Sequence, residues 1–183
     1  MYIRKLIAIG CAALLMGLTS GCAYKVTGGG WIPSADDPLE KANFGFGANG
    51  CEAYKIEDDW VNFKGRFNYH DKTAGVMMLG EPVGIDRCTR FGCKVQDDGY
   101  DFGRVCPNGY LVKLEYRSTN PKDRGEGQAI VCAYDNGEGM NATPDWLGIY
   151  IAHDDTGPYA GYSNEGYIEG GNIQKHSCYP SEN

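Results

Sequence analysis

Trp60-Val61-Asn62-Phe63-Lys64-Gly65-Arg66-Phe67-Asn68-Tyr69-His70 is the stretch that decides the fold class. Val61, Phe63, Gly65, Phe67 and Tyr69 fall on one face of an extended chain, and Asn62, Lys64, Arg66, Asn68 and His70 on the other. Side chains in a strand point alternately to its two faces, so this pattern predicts a strand with one face in a core and one in water. His70-Asp71-Lys72-Thr73-Ala74-Gly75 then turns the chain into Val76-Met77-Met78-Leu79, a second strand.

The same alternation recurs on both sides. Val26-Thr27-Gly28-Gly29-Gly30-Trp31-Ile32 is a glycine-rich strand ended by Pro33, and Ala42-Asn43-Phe44-Gly45-Phe46-Gly47 is another. Further strands are expected over residues 83–90, 99–105, 110–116, 127–134, 146–152, 166–169 and 172–175. Turn pairs such as Asp98-Gly99, Asn108-Gly109, Asn136-Gly137 and Gly157-Pro158 separate nearly all of them. Residues 117–126 are the most polar stretch and read as an exposed loop, and no window carries a helical period. Many short strands with tight turns predict an all-β fold, a single antiparallel sandwich or closed barrel with disulfide-braced loops. The 27 glycines, and 13 tyrosines against 6 phenylalanines, fit turns and half-exposed strand faces rather than a helical bundle.

At the N-terminus Arg4 and Lys5 precede an uncharged run over residues 6–18, too short for a membrane span of about 20 residues but suited to a signal peptide. Leu18-Thr19-Ser20-Gly21-Cys22 follows, and reads as a lipoprotein signal, residues 1–21, with Cys22 acylated as the mature N-terminus. The alternative is an ordinary cleaved signal with Cys22 free or paired. Ala23 gives no inner-membrane retention signal, so the expected location is the cell envelope, lipid-anchored at the outer membrane. Residues 22–183 form one extracytoplasmic domain, starting close to its membrane. Losing Arg4 and Lys5 moves the formal charge from −7 to −9, which disfavours nucleic acid as a partner.

Of eight cysteines, Cys11 leaves with the signal and Cys22 takes the lipid. Cys51, Cys88, Cys93, Cys106, Cys132 and Cys178 remain, an even set that in an oxidising compartment is expected to pair fully. The sequence leaves the connectivity open. No C-x-x-C is present, and His70 and His153 lie far from any cysteine pair, so zinc is not expected.

Several motifs together resemble a known group. Val26-Thr27-Gly28-Gly29-Gly30-Trp31-Ile32, Lys41-Ala42-Asn43-Phe44-Gly45-Phe46, Gly65-Arg66-Phe67-Asn68-Tyr69-His70-Asp71, Asp135-Asn136-Gly137-Glu138 and Glu169-Gly170-Gly171-Asn172-Ile173-Gln174-Lys175-His176 are similar to motifs of the post-COAP domain, found after choice-of-anchor P modules in bacterial exported proteins. The resemblance covers roughly residues 26–176 and implies a small all-β extracytoplasmic module with no catalytic residues to carry over. The six cysteines and the stretch 86–107 depart from that pattern. Glycines at both ends, Gly28–Gly30 and Gly170-Gly171, suit strands whose backbones approach closely, so the first and last strands are expected to lie together. Cys178 would staple that closure.

Candidate sites are few. Asp135, Asn136 and Glu138 bunch oxygen ligands around glycines, as do Asp97-Asp98-Gly99-Tyr100-Asp101 and His153-Asp154-Asp155-Thr156-Gly157. Calcium favours such loops, although Asp-Asn-Gly is equally turn chemistry, so calcium is the one cofactor to weigh and otherwise none is expected. His70, His153 and His176 accompany no nucleophile elbow or zinc motif. Trp31, Trp60, Tyr159 and Tyr162, with Trp146 and Tyr167, would form a ring-lined surface for glycan or protein; the alternative is that the tryptophans fill the core and the tyrosines sit on sheet faces. The leading expectation is a non-catalytic binding module for an envelope protein or glycan, of inhibitor or immunity type. The alternatives are an enzyme acting on envelope polymers and a purely structural envelope protein.

Overall fold

The computed structural model describes residues 24–56, 59–87, 109–139 and 142–178. The signal, Cys22, Cys88, Cys93, Cys106 and the strand expected at 99–105 lie outside them. Among the described residues the chain is all-β: β1 (Tyr24–Pro33), β2 (Lys41–Asn49), β3 (Tyr54–Ile56), β4 (Asp59–Val61), β5 (Lys64–Asp71), β6 (Val76–Arg87), β7 (Tyr110–Ser118), β8 (Glu126–Tyr134), β9 (Trp146–Tyr150), β10 (Ser163–Tyr167) and β11 (Gly170–Ser177).

Nine strands form one antiparallel sheet in the order β10-β9-β8-β7-β6-β5-β2-β1-β11, with β3 and β4 a separate pair. The expected antiparallel all-β fold is a single curled nine-stranded sheet, a half-barrel. The continuous strand expected at 60–70 is two strands. Asn62 turns to φ 60°, a left-handed conformation that asparagine tolerates better than most residues, and the chain swings from β4 into β5 there. Conversely, the strands expected at 76–79 and 83–90 are one. Pro82 stays inside β6 because the ladder to β7 shifts register between Pro82 and Gly84, a bulge that accommodates the missing amide. The polar stretch 117–126 is shorter as a loop than expected, because Arg117 and Ser118 belong to β7 and Glu126 to β8.

Alternation decides what lies inside. On β2, Ala42, Phe44, Phe46 and Ala48 are buried, and on β5 Phe67, Tyr69 and Asp71 are, while the intervening side chains face outward. These join Val112 and Leu114 of β7, Val131 of β8 and Ile149 of β9 in one core. Leu111, Cys132, Trp146 and Tyr150 form a second buried cluster from the opposite faces of β7, β8 and β9.

The edges of the sheet are consecutive in sequence. Only Ile168 and Glu169 separate β10 from β11. The Ile168 amide donates to the Asp145 carbonyl beside β9, and the next amide, Glu169, donates to the Trp31 carbonyl of β1. One run of chain thus leaves β9 and joins β1, and the first and last strands pair from Tyr24↔Ser177 to Trp31↔Gly170. Glycine is required at this corner. A Cβ on Gly171 (φ 110°) would run into the Gly29 carbonyl oxygen, and one on Gly30 into that of Gly170. Cys51, just after β2, is disulfide-bonded to Cys178, just after β11, with Cα atoms 5.1 Å apart. Cys132 is also disulfide-bonded.

Candidate functional site

The outward faces of β5 to β8 carry a trough that runs across the strands. Register creates it. Phe67, Gly80, Tyr116 and Gly127 stand side by side on β5, β6, β7 and β8, and their side-chain positions point inward, so only their backbone forms the floor. One residue to one side, Glu81, Glu115 and Gln128 align as one wall. One residue to the other side, Asn68, Leu79, Arg117 and Glu126 align as the second. Arg66 stands at the β5 end and Thr156 at the β8 end, and the cavity measures about 640 Å³.

The charges in this trough are unspent. Glu81 and Glu115 face one another directly, an arrangement of like charges that weakens a sheet. Arg117 stands opposite Glu126, yet the ion pair found among the described residues is Lys64–Glu52, at 3.4 Å, and neither residue lines the trough. Leu79 adds an aliphatic surface that is 41% exposed.

Beneath the trough, polar groups are by contrast fully connected. The β9–β10 connection folds back so that Tyr159 and Tyr162 enter one end of the half-barrel. Tyr159 stacks on Tyr116 with centroids 5.7 Å apart, and its hydroxyl donates to the Met77 carbonyl (3.0 Å) and accepts from the Met77 amide (3.2 Å). That leaves Ser118 as the donor in its 2.6 Å contact with Tyr159. Tyr162 donates to Asp71 Oδ2 at 2.8 Å, so Tyr69 is the donor in the 2.7 Å Tyr69–Tyr162 bond. Asn164 Nδ2 in turn donates to Tyr69 at 2.8 Å. The chain of donors runs from Asn164 to Tyr69 to Tyr162 and ends on the Asp71 carboxylate.

Asp71 is fully buried and accepts three more bonds, from Ser34 Oγ (2.7 Å), the Ala35 amide (3.1 Å) and the Ala74 amide (3.2 Å). Burial alone would raise its pKa, but the bonds from Ser34, Ala35, Tyr162 and Ala74 outweigh it and hold the carboxyl below its ordinary value. Burial, then the neighbouring Tyr69 and Asp71, pushes Tyr162 far above the usual phenol range. Tyr69 is raised first by burial, and Tyr116 by burial and then by Asp155. All three phenols stay protonated and act as donors. Asp155 ties the plugging loop to the trough: Oδ2 accepts from Tyr116 (3.1 Å) and Oδ1 from the Gln128 amide (3.0 Å), which sets Thr156 at the trough's end.

The residues singled out from sequence fall in three places. Tyr159 and Tyr162 are not part of an exposed ring surface; they belong to the plug just described. Trp31 is half-buried on the outer face with Lys41 Nζ 4.1 Å from its ring centroid, and Trp146 is buried, while Tyr167 is exposed. The Trp60 side chain lies outside the described residues. Asp135, Asn136 and Glu138 come together, but around β11. Asp135 Oδ2 accepts the Lys175 amide (3.1 Å), and Glu138 Oε1 accepts Asn172 Nδ2 (2.8 Å). Asp145 Oδ2 accepts the Ile173 amide at 2.6 Å, and its Oδ1 the Asn136 amide at 2.8 Å. The Asp135 and Asp145 carboxylates cap outward backbone amides of an edge strand, which would otherwise invite pairing with another chain. Among the described residues no group of three or more His, Cys, Asp or Glu is placed to hold a metal ion. His176 Nε2 lies 2.8 Å from Thr27 Oγ1, His153 is exposed, and His70 Nε2 is buried without a partner.

Sequence reading missed the trough. Its signal was there in part, as alternating charges in Lys113-Leu114-Glu115-Tyr116-Arg117 and Leu79-Gly80-Glu81, but the alignment of those strands depends on register. No family model matches this chain, and no curated protein or solved structure is similar to it.

Proposed function

We propose that this protein is a non-catalytic envelope lipoprotein, anchored through acylated Cys22 after loss of residues 1–21, that binds an envelope protein or glycan in the trough on β5 to β8. One observation carries the reading: a cavity of about 640 Å³ on the open face of the sheet gathers charged side chains that form no ion pair among the described residues. Polar groups held unpaired in a concave surface are what a binding site needs before its ligand arrives. The basic head and uncharged run of the signal, the placement of Cys22 and the resemblance to exported post-COAP domains support an envelope location at the outer membrane.

The test has two parts. Mass spectrometry of protein extracted from membranes is expected to find Cys22 acylated, and a free N-terminus at Ala23 overturns the anchor. The full chain used as bait on envelope extract is expected to retain a ligand that the Glu81→Gln, Glu115→Gln, Arg117→Gln triple variant does not. Equal recovery by both overturns the trough. Hydrolysis of an envelope polymer by purified protein, lost on replacing His70 or His153, overturns the non-catalytic reading.

A further inference from the structure

The geometry points to a ligand class: we propose that the trough takes a short, extended peptide in which a basic residue stands next to an acidic one. This rests on the trough being the binding site. The two walls lie on either side of a floor one residue wide, so they stand about 7 Å apart along the strands, and the four strands span about 14 Å. An extended peptide advances about 3.3 Å per residue, so about four residues fill that length.

Such a peptide sends successive side chains to opposite sides. The wall with Glu81 and Glu115 presents two carboxylates directly across from each other, with Arg66 at the β5 end of the same row, and the carboxylate pair is a seat for one ammonium that relieves their repulsion. The opposite wall presents Arg117, whose planar fork suits a carboxylate, between Leu79, which can take the aliphatic stem, and Glu126, which stands opposite and competes for the guanidinium. Adjacent residues of opposite charge therefore meet the Glu81–Glu115 pair on one side and Arg117 on the other.

A glycan fits less well. Sugar rings pack their C–H faces on exposed aromatic rings, and the aromatic residues lining this cavity, Phe67 and Tyr116, are 2% and 3% exposed with their rings in the core. The tyrosines that looked available in sequence, Tyr159 and Tyr162, are committed to the plug.

The experiment uses detergent-solubilised full chain and the fluorescein-labelled probe Ala-Lys-Glu-Ala, capped at its C-terminus, read by anisotropy. Saturable binding is expected, weakened at least tenfold when the probe's Lys or Glu is replaced by Gln. Arg117→Gln and the Glu81→Gln, Glu115→Gln pair are each expected to weaken the parent probe similarly. The Gln-for-Lys probe is expected to be indifferent to the glutamate pair, which assigns the ammonium to that wall. Equal affinity for all probes, or no binding of the parent probe at millimolar protein, overturns the proposal. Chitotetraose binding that the same variants abolish, with no peptide binding, overturns the peptide while leaving the trough as the site. If envelope extract yields nothing specific to the wild-type trough, the site itself fails.

Discussion

Replacing Asp71 by asparagine tests whether the buried network holds the plug in place. The carboxylate receives four donors, two on each oxygen: Ser34 Oγ and the Ala74 amide on Oδ1, the Ala35 amide and Tyr162 on Oδ2. Asparagine keeps the shape but turns one oxygen into an NH2, so two donors face a donor whichever way the amide lies. Bonds to a charged acceptor contribute about 1.5 kcal/mol each at the low end. Two lost bonds, less the easier burial of a neutral group, give a loss of about 2–3 kcal/mol. Urea unfolding followed by far-UV circular dichroism at neutral pH measures it, with the slope m unchanged. The pH dependence supplies an independent check. Because the folded pKa of Asp71 lies below its ordinary 3.8, the unfolded chain binds more protons in that range. The carboxylate's contribution is complete above the unfolded pKa and disappears as pH falls through the folded one. The gap between wild type and Asp71→Asn is therefore expected to close on acidification from about pH 5 to about pH 2. A variant within about 0.5 kcal/mol of wild type, or a gap independent of pH, refutes the role given to Asp71.

Gly171→Ala is expected to cost more than about 2 kcal/mol, since it combines left-handed strain with a clash against the Gly29 carbonyl. Gly137→Ala, at φ 85° with open space around it, is the control and is expected to cost only about 1 kcal/mol of strain. Equal losses would mean that the corner does not need close backbone approach. Replacing both Cys51 and Cys178 by serine is expected to lower stability by about 2–5 kcal/mol, because the bridge closes a separation of 127 residues. No change in the urea midpoint would show that β11 is held by its ladder and carboxylate caps alone. Glu81→Gln is expected to raise stability by about 0.2–1 kcal/mol by relieving repulsion from Glu115, a gain that shrinks in high salt. A loss instead would show the pair already neutralised in the folded protein.

The strands were legible wherever alternation had one clear apolar side. Ala42-Asn43-Phe44-Gly45-Phe46 and Phe67-Asn68-Tyr69 state their inner faces outright, and the glycines at 28–30 and 170–171 foretell that two backbones pass close. Two features misled. Proline in Glu81-Pro82-Val83 reads as a break, because a bulge that absorbs its missing amide exists only against β7. Asn62 reads as one more outward polar residue, because its left-handed turn leaves no mark on the alternation.

The site was legible only as parts, and the reason is where its information lies. Asp71, Ser34 and Asn164 are polar at inward positions, which in sequence looks like the fraying of strand ends. They are in fact the acceptors and donors around which Tyr69 and Tyr162 close the half-barrel. Sequence order alone does not show that the loop carrying Tyr159 and Tyr162 turns inward to the core. The trough needs three ladders in register, β5–β6, β6–β7 and β7–β8, and a slip of one residue would separate Asn68 from Leu79, Glu81 from Glu115 or Arg117 from Glu126 respectively. The inner polar groups are connected donor to acceptor, while the outer charges are not. Substitutions inside are therefore expected to change stability, and substitutions along the trough to change binding while leaving the fold intact. That division separates the two roles in one sheet whose residues alternate between them.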